Sequence, residues 1–301
     1  MMVVMTTVTA THLPSYGEDV RVVVPAPGIG AGNWSGAASA ILVDGVFWLT
    51  WRVRRPLTDG RGVTVVVARS DDGETFEPVA EVNREAFGAE SFERPVLMVV
   101  PGLGWRLYLS CATPGSKHWW VDSLTAPTVE DLPAGHQQVV LPGDRHTAVK
   151  DPVITHDERG WHLWLCCHPL DEPGHEDRMT TRYLTSDDGL DWTDRGEVLA
   201  GRPGEWDARG ARVVTVIGEE PLTVLYDGRA DAESNWFETT GVAVWDGERL
   251  VADARVAPIS SPYSDGAFRY ASAVALGDGR TRYYVEAARD DGAHDLVTFV
   301  R

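Results

Sequence analysis

Apolar and aromatic residues along the chain come in runs of five to eight, separated by short polar turns such as Asp44-Gly45, Asp72-Gly73, Asp188-Gly189, Asp246-Gly247 and Asp278-Gly279. Helical spacing of apolar positions is almost absent. Short runs bounded by Asp-Gly turns predict antiparallel hairpins. The hairpins recur in a larger unit. Its first pair of strands reads ASAILVDGVFWLTWRV over 38–53, RPVLMVVPGLGWRLYLSC over 94–111 and DPVITHDERGWHLWLCC over 151–167. Looser copies are GARVVTVIGEEPLTVLYDG over 210–228 and RYASAVALGDGRTRYYVEA over 269–287. The turn glycines Gly45, Gly104, Gly160, Gly218 and Gly279 recur every 56 to 61 residues, a period that signals propeller blades.

Each unit has room for four strands, and the Ser-Asp-Asp-Gly turns at 70–73 and 186–189 open corresponding strands of the first and third units. The fifth unit runs out of chain with three strands, while a spare strand, DVRVVV over 19–24, precedes the first. Adding it to the last sheet would close a ring and hide two sheet edges. The expectation is therefore an all-β, five-bladed β-propeller in one domain over 1–301. Its blades fall at about 31–83, 84–141, 142–200, 201–257 and 258–301 plus 19–24. A two-domain β-sandwich is the alternative, but it leaves the regular period unexplained.

Composition narrows the partners. The 301 residues are 43% hydrophobic, ample for a core, and the formal charge is -18. An acidic chain is poorly suited to nucleic acid or anionic membrane, which reward clustered Lys and Arg. No window approaches a transmembrane span, and the opening MMVVMTTVTATHLPSYGED lacks the basic start and apolar stretch of a signal peptide. Cys111, Cys166 and Cys167 lie in strand-like runs, an odd count that fits free buried thiols in a reducing, cytoplasmic compartment. Adjacent strand residues face opposite ways, so Cys166, Cys167 and His168 make a poor metal site. No cofactor or metal is expected.

The openings of the inner strands are unlike the rest of the chain. They read Phe92-Glu93-Arg94-Pro95, Lys150-Asp151-Pro152, Glu205-Trp206-Asp207-Ala208-Arg209-Gly210-Ala211-Arg212 and Phe268-Arg269-Tyr270, whereas the first unit has the uncharged Asn33-Trp34-Ser35-Gly36. In a propeller such positions converge on the axis. Charges there need one another or water, because burying them singly costs several kcal/mol. Either they plug the channel as a salt-bridge network or they form a polar funnel in which ionisation is tuned for chemistry.

The period, the Asp-Pro opening of Lys150-Asp151-Pro152-Val153-Ile154, the Glu-x-Pro of Glu93-Arg94-Pro95 and the Ser-Asp-Asp-Gly turns resemble the five-bladed glycoside hydrolases of families 43 and 32. A fainter likeness is to the family 130 mannoside phosphorylases. The resemblance implies three axial carboxylates serving as base, tuning residue and acid. Asp151 matches the Asp-Pro opening of the tuning or base aspartate, and Glu93 the context of the acid. The chain departs from the pattern in two places: Trp34-Ser35-Gly36 stands where the base aspartate is expected, and Glu93 precedes Asp151 where family order has it follow.

The expected assignment is Glu93 as general acid, Asp207 as base and Asp151 as tuning residue, with the roles open to permutation. Trp34, Arg94, Lys150, Arg209, Arg212, Asn235, Trp236, Glu238, Arg269 and Tyr270 are the expected substrate contacts. Trp119, Trp120 and Trp206 also lie near predicted loops, where rings can stack on sugars. Trp48, Trp105, Trp161 and Trp164 read as packing between blades. His168 reads as structural, and His294-Asp295 as a structural pair or one that reaches the funnel. The expected partner is a small saccharide or glycoside. Three readings stand: a glycosidase or phosphorylase, the same scaffold turned to acid–base chemistry on a non-sugar metabolite, and a non-catalytic sugar-binding propeller.

Overall fold

The computed structural model describes residues 13–301, so the first part of the segment read for a leader lies outside it. The described chain is all-β, apart from brief 3-10 turns, and it contains no helix long and apolar enough to cross a membrane. Its strands are β1 (Arg21–Val24), β2 (Trp34–Val43), β3 (Val46–Arg54), β4 (Gly62–Ser70), β5 (Glu77–Asn83), β6 (Phe92–Val100), β7 (Gly104–Ala112), β8 (Trp119–Ala126), β9 (His136–Leu141) and β10 (Thr147–Asp157). They continue as β11 (Gly160–Pro169), β12 (Thr180–Ser186), β13 (Thr193–Ala200), β14 (Gly210–Glu219), β15 (Leu222–Arg229), β16 (Thr239–Trp245), β17 (Leu250–Ala252), β18 (Ser272–Ala275), β19 (Thr281–Ala288) and β20 (His294–Val300).

Consecutive strands pair in antiparallel order within β2–β5, β6–β9, β10–β13 and β14–β17. β18–β20 form the next unit, and β1 pairs antiparallel with β20, Arg21 opposite Thr298. One parallel bridge, Trp34 to His294, joins β2 to β20.

Apolar side chains fill the spaces between successive units. Val67 and Val82 meet Phe92 and Leu107. Met98 and Tyr108 meet Ile154 and Trp161. Val153 and Trp164 meet Val213 and Tyr226. Val214 and Leu225 meet Phe268 and Tyr283. Leu49 and Trp51 meet Val274 and Tyr284, so the last unit packs against the first. The strand tryptophans serve this packing: Trp161 and Trp164 are buried in it, and the Trp48 and Trp105 rings lie 4.9 Å apart.

The Ser-Asp-Asp-Gly turns also tie units together. Gly73 (φ +74°) and Gly189 (φ +72°) hold left-handed conformations that favour glycine. Both amides donate to the turn serine at 2.9 Å. Their buried carbonyls accept from Tyr284 and Tyr108 hydroxyls of the neighbouring units, at 2.9 and 2.8 Å.

The feature that positions the site is an irregularity near the start of the first strands. β2 shifts register between Gly36 and Ser39, β6 between Phe92 and Pro95, β10 between Lys150 and Val153, and β14 between Val213 and Thr215. Ala37, Asp151 and Tyr270 adopt left-handed backbone there, with φ between 51° and 53°. A bulge re-aims the side chains beside it. Gly36, Glu93, Lys150, Arg212 and Arg269 occupy equivalent places, 57, 57, 62 and 57 residues apart.

Candidate active site

These residues meet charged side chains carried one strand outward. Arg52 on β3 lies opposite Gly36, and Asp227 on β15 opposite Arg212. Glu286 comes from β19, and Glu238 from the segment just before β16. The result is a buried chain of alternating charge. Arg52 Nη1 donates to Glu93 Oε2 at 2.6 Å, and its Nη2 lies 3.4 Å from Glu286 Oε1. Arg269 Nε lies 3.4 Å from Glu286 Oε2, and its Nη1 lies 2.9 Å from Glu238 Oε2. Arg229 adds a contact to Glu238 at 3.4 Å. Arg212 reaches Asp227 at 2.8 Å and Asp151 at 3.0 Å. Lys150 Nζ stands 3.4 Å from Asp151, and Arg61 stands 3.6 Å from Glu93.

Hydrogen bonds add to these ion pairs, although Arg52 Nε, Arg212 Nε and Arg229 Nε find no hydrogen-bond partner. Tyr270 donates its hydroxyl to Asp151 at 3.1 Å and accepts from Arg212 at 3.0 Å. The Tyr270 amide and Thr240 hydroxyl donate to Asp227 at 2.9 and 2.8 Å. The amide of Ala37 donates to Glu286 at 2.7 Å. An isolated charge in such a place would cost several kcal/mol, so the network is stable only as a unit.

The electrostatics divide the carboxylates. Burial pushes Glu93 upward, but Arg52, Lys150 and Arg61 outweigh it and hold the group below its ordinary value. Asp151 is likewise held low, with Lys150 and Arg212 overcoming burial. Glu238 and Glu286 fall from 4.5 to about 2 against the upward push of burial, chiefly through Arg269. Asp227 goes the other way: burial raises it despite Arg212. Four of these carboxylates are therefore charge-favouring and one is proton-favouring.

Above the network, at the Trp34 end of β2, lies a pocket of about 500 Å³ lined by Trp34, Arg54, Trp236, Phe237, Asp265 and His294 among others. Trp34 stacks on His294 with ring centroids 4.3 Å apart. The imidazole joins pocket to network, with Nε2 3.4 Å from Asp265 Oδ2 and Nδ1 3.7 Å from Glu286 Oε2. Burial opposes protonation of His294, but Asp265 and Glu286 outweigh it and raise its pKa above 6.5. Trp236 and Phe237 are 40% and 50% exposed, so their faces are open to a ligand.

No protein-family model matches the sequence, and no curated protein matches it. Solved structures do. A thermostable family 43 glycoside hydrolase aligns over 93% of this chain and 91% of its own, with TM-score 0.69 and 14% identity. A family 130 structure, from work on glycoside hydrolases that target β-1,2 mannosidic linkages in Candida mannan, aligns over 95% of both chains with TM-score 0.61 and 14% identity. The β-1,2-mannobiose phosphorylase of Listeria innocua, in complex with β-1,2-mannobiose, aligns over 95% of this chain and 92% of its own, with TM-score 0.59 and 16% identity.

The chain has the fold of the propeller glycoside hydrolases.

Within that glycoside hydrolase fold the sequence-predicted residues separate. Glu93, Asp151, Lys150, Arg212, Glu238, Arg269 and Tyr270 come together in the network. Arg94 is buried beside it; its amide donates to Asp151 at 3.3 Å, while its Nε and Nη1 have no partner. Trp34 and Trp236 line the pocket, and the Trp236 carbonyl accepts from Arg269 at 3.1 Å. Asn235 hydrogen-bonds Arg229.

Asp207 is not brought to this network. It precedes β14 in a turn, five residues before the axial position that Arg212 holds. Its carboxylate accepts from Arg202 Nε at 2.9 and 3.1 Å and from the Tyr226 hydroxyl at 2.9 Å. Trp206 stacks on Tyr226 beside it. Arg209 is also elsewhere, in an ion pair with Asp177 at 2.8 Å.

Trp119 packs below Lys150 and Arg61, at 5.0 and 5.4 Å from their charges. His168 is buried, its Nδ1 2.8 Å from the Glu176 carbonyl and its Nε2 3.4 Å from Cys166 Sγ; burial drives its pKa down to about 3. Arg52, Arg229, Asp227 and Glu286 were not among the expected residues. Their signal is a charge inside an otherwise apolar second strand, as in Trp51-Arg52, Tyr226-Asp227 and Val285-Glu286.

Proposed function

We propose that the chain is a glycoside-acting enzyme in which a small saccharide enters the pocket over Trp34 and meets the charged network beneath it. The observation that carries this is the Asp265–His294–Glu286 relay of charge contacts, at 3.4 and 3.7 Å, which places His294 between an aromatic, sugar-sized pocket and the axial carboxylates. The likeness to glycoside hydrolases and phosphorylases supports the reaction class through fold alone. We count the units as five blades within the described residues 13–301, closed into a ring by β1. Support comes from the pairing of β1 with β20 and the apolar contact of the last unit with the first. The free buried cysteines Cys111, Cys166 and Cys167 suit a cytoplasmic setting.

Cleavage of a glycosidic bond needs a proton at the leaving oxygen and a carboxylate to activate water or stabilise the sugar cation. Glu93 is ionised, so it takes the carboxylate role instead of the acid role its motif suggests. It has the largest side-chain exposure of the network carboxylates, 6%, and in this reading Arg61, at 30%, moves aside for the substrate to reach it. His294, whose protonated form Asp265 and Glu286 favour, donates to the leaving oxygen. Asp151 holds Arg212, Lys150 and Tyr270 in place and tunes the charge near Glu93.

The filling of the Gly36 space by Glu286 supports a second reading, a propeller of the same fold that binds a saccharide without cleaving it or acts on a non-sugar metabolite. A panel of aryl glycosides and disaccharides, with and without inorganic phosphate, separates these. The first reading expects turnover that falls at least about 100-fold in Glu93→Gln and His294→Gln. Tight saccharide binding without turnover in the unaltered protein would overturn it in favour of the second, and a strict phosphate requirement would make the reaction phosphorolysis.

A further inference from the structure

Arg54 stands apart from the arginines of the network, and unlike Arg94, whose Nε and Nη1 are also without partners, it lines the pocket. It lies opposite Trp34 in the β2–β3 pairing and is only 3% exposed. Its guanidinium sits 4.0 Å from the Trp34 ring and 5.3 Å from that of Trp236. Among the described residues no carboxylate pairs with it and no group hydrogen-bonds it. Asp265, the half-buried carboxylate in the same pocket, is engaged by His294 at 3.4 Å, and Asp290 is exposed at the lip. Arg289 at the lip is paired with Asp291 at 3.3 Å.

A guanidinium packed on the Trp34 ring and flanked by Trp236 is held in place with N–H donors left free. Those donors match the two oxygens of a carboxylate or phosphate. Burial and the nearby charge of Arg52 bring Arg54 down to about 10 against the opposing pull of Glu93, so it stays charged at neutral pH without a carboxylate in direct contact. Leaving it unpaired is costly, and an incoming anion removes that cost.

We infer that Arg54 is an oxyanion receptor and that the pocket takes an anionic saccharide, one that carries a carboxylate or phosphate group, with its ring against Trp236 and Phe237. This rests on reading the pocket as the saccharide site and adds the substrate class. The anion belongs to the sugar itself, so it is distinct from free phosphate acting as a nucleophile.

Calorimetric titration of the full chain at low salt tests this with D-glucuronate, D-glucose 1-phosphate, D-glucose and inorganic phosphate. The expected result is that at least one anionic sugar binds about tenfold or more tightly than glucose. Arg54→Gln should erase that preference, and Arg54→Lys should keep part of it. Preference for glucuronate alone names a carboxylate, and preference for the ester alone names a phosphate. Equal affinity for charged and neutral sugars, no binding of any probe, phosphate binding as tightly as the esters, or a preference that survives Arg54→Gln would each overturn the inference. If Arg54→Gln does not fold, the Arg54→Lys comparison and loss of the preference in high salt decide it. Anionic-sugar binding through Arg54 without turnover would sink the enzymatic reading alone. Turnover of neutral glycosides that is indifferent to Arg54 would sink this inference alone.

Discussion

Gly36 has no side chain, and the carboxylate of Glu286 occupies the place where one would be. A Cβ added at Gly36 would collide with Glu286 Oε1, Cγ and Cδ. Glu286 is fixed there by the Ala37 amide, Arg52 and Arg269, so it cannot easily give way. The position that lacks the expected aspartate is thus filled by a carboxylate from the last unit of the chain.

Gly36→Ala therefore overpacks the axis and is expected to cost about 1–3 kcal/mol. Chemical denaturation checks this. Pairing it with Glu286→Ala should be less than additive by about 0.5–3 kcal/mol, because the second change removes the atoms that the first strikes. Simple additivity would show that the two residues do not compete for one space.

Arg212 holds Asp151 and Asp227 and lies 3.7 Å from Glu238. Arg212→Met strands these carboxylates in a buried site, with an expected loss of roughly 3–5 kcal/mol at neutral pH. The loss should shrink in acid, as the stranded groups take up protons. Urea midpoints at pH 7 and pH 4 measure it, and a loss equal at both would mean the charges contribute little.

The whole network predicts an acid limit. Glu238 and Glu286 titrate near 4.5 when unfolded and near 2 in place. A carboxylate with a lowered folded pKa contributes stability that is complete above the unfolded value and disappears as pH falls through the folded one. Stability should hold down to about pH 4.5 and fall steeply from there to about pH 2. Asp227, raised by burial, acts in the opposite sense and softens the fall. His294 has a raised pKa, so its contribution is full below 6.5 and is lost as pH rises through its folded value. Urea midpoints over this range should therefore peak on the mildly acidic side of neutrality; a midpoint unchanged down to pH 2 would contradict an ionised network.

The inner charges were legible in the sequence because the repeat brings them to equivalent strand openings. Glu93, Lys150, Arg212 and Arg269 fall at near-constant spacing, and the bulges turn them inward. Asp207 misleads because the turn before β14 is longer: the step from Lys150 to Arg212 is 62 residues, not 57, so the opening of that strand does not mark its axial residue. Arg52, Asp227 and Glu286 escape because they lie within apolar second strands, and only strand register places them opposite the axial residues. The position of His294 against Glu286 depends on the neighbouring strand β19, which no local pattern reveals.

Asp207 supplies a direct contrast. Asp207→Asn removes the charge that answers Arg202 and weakens its bond with Tyr226. It should lower stability by about 1–3 kcal/mol and change turnover by less than about threefold. Glu93→Gln should do the reverse, with turnover reduced by about 100-fold or more. Equal catalytic losses in the two variants would return Asp207 to the reaction centre.

The most direct measurement is a crystal structure with a bound saccharide. The expected result is a sugar against Trp236, in the pocket over Trp34, with its glycosidic oxygen within hydrogen-bond reach of His294 and Arg61 displaced from Glu93. A saccharide bound on another face, with the Asp265–His294–Glu286 relay and the Arg61–Glu93 contact undisturbed, would contradict the account.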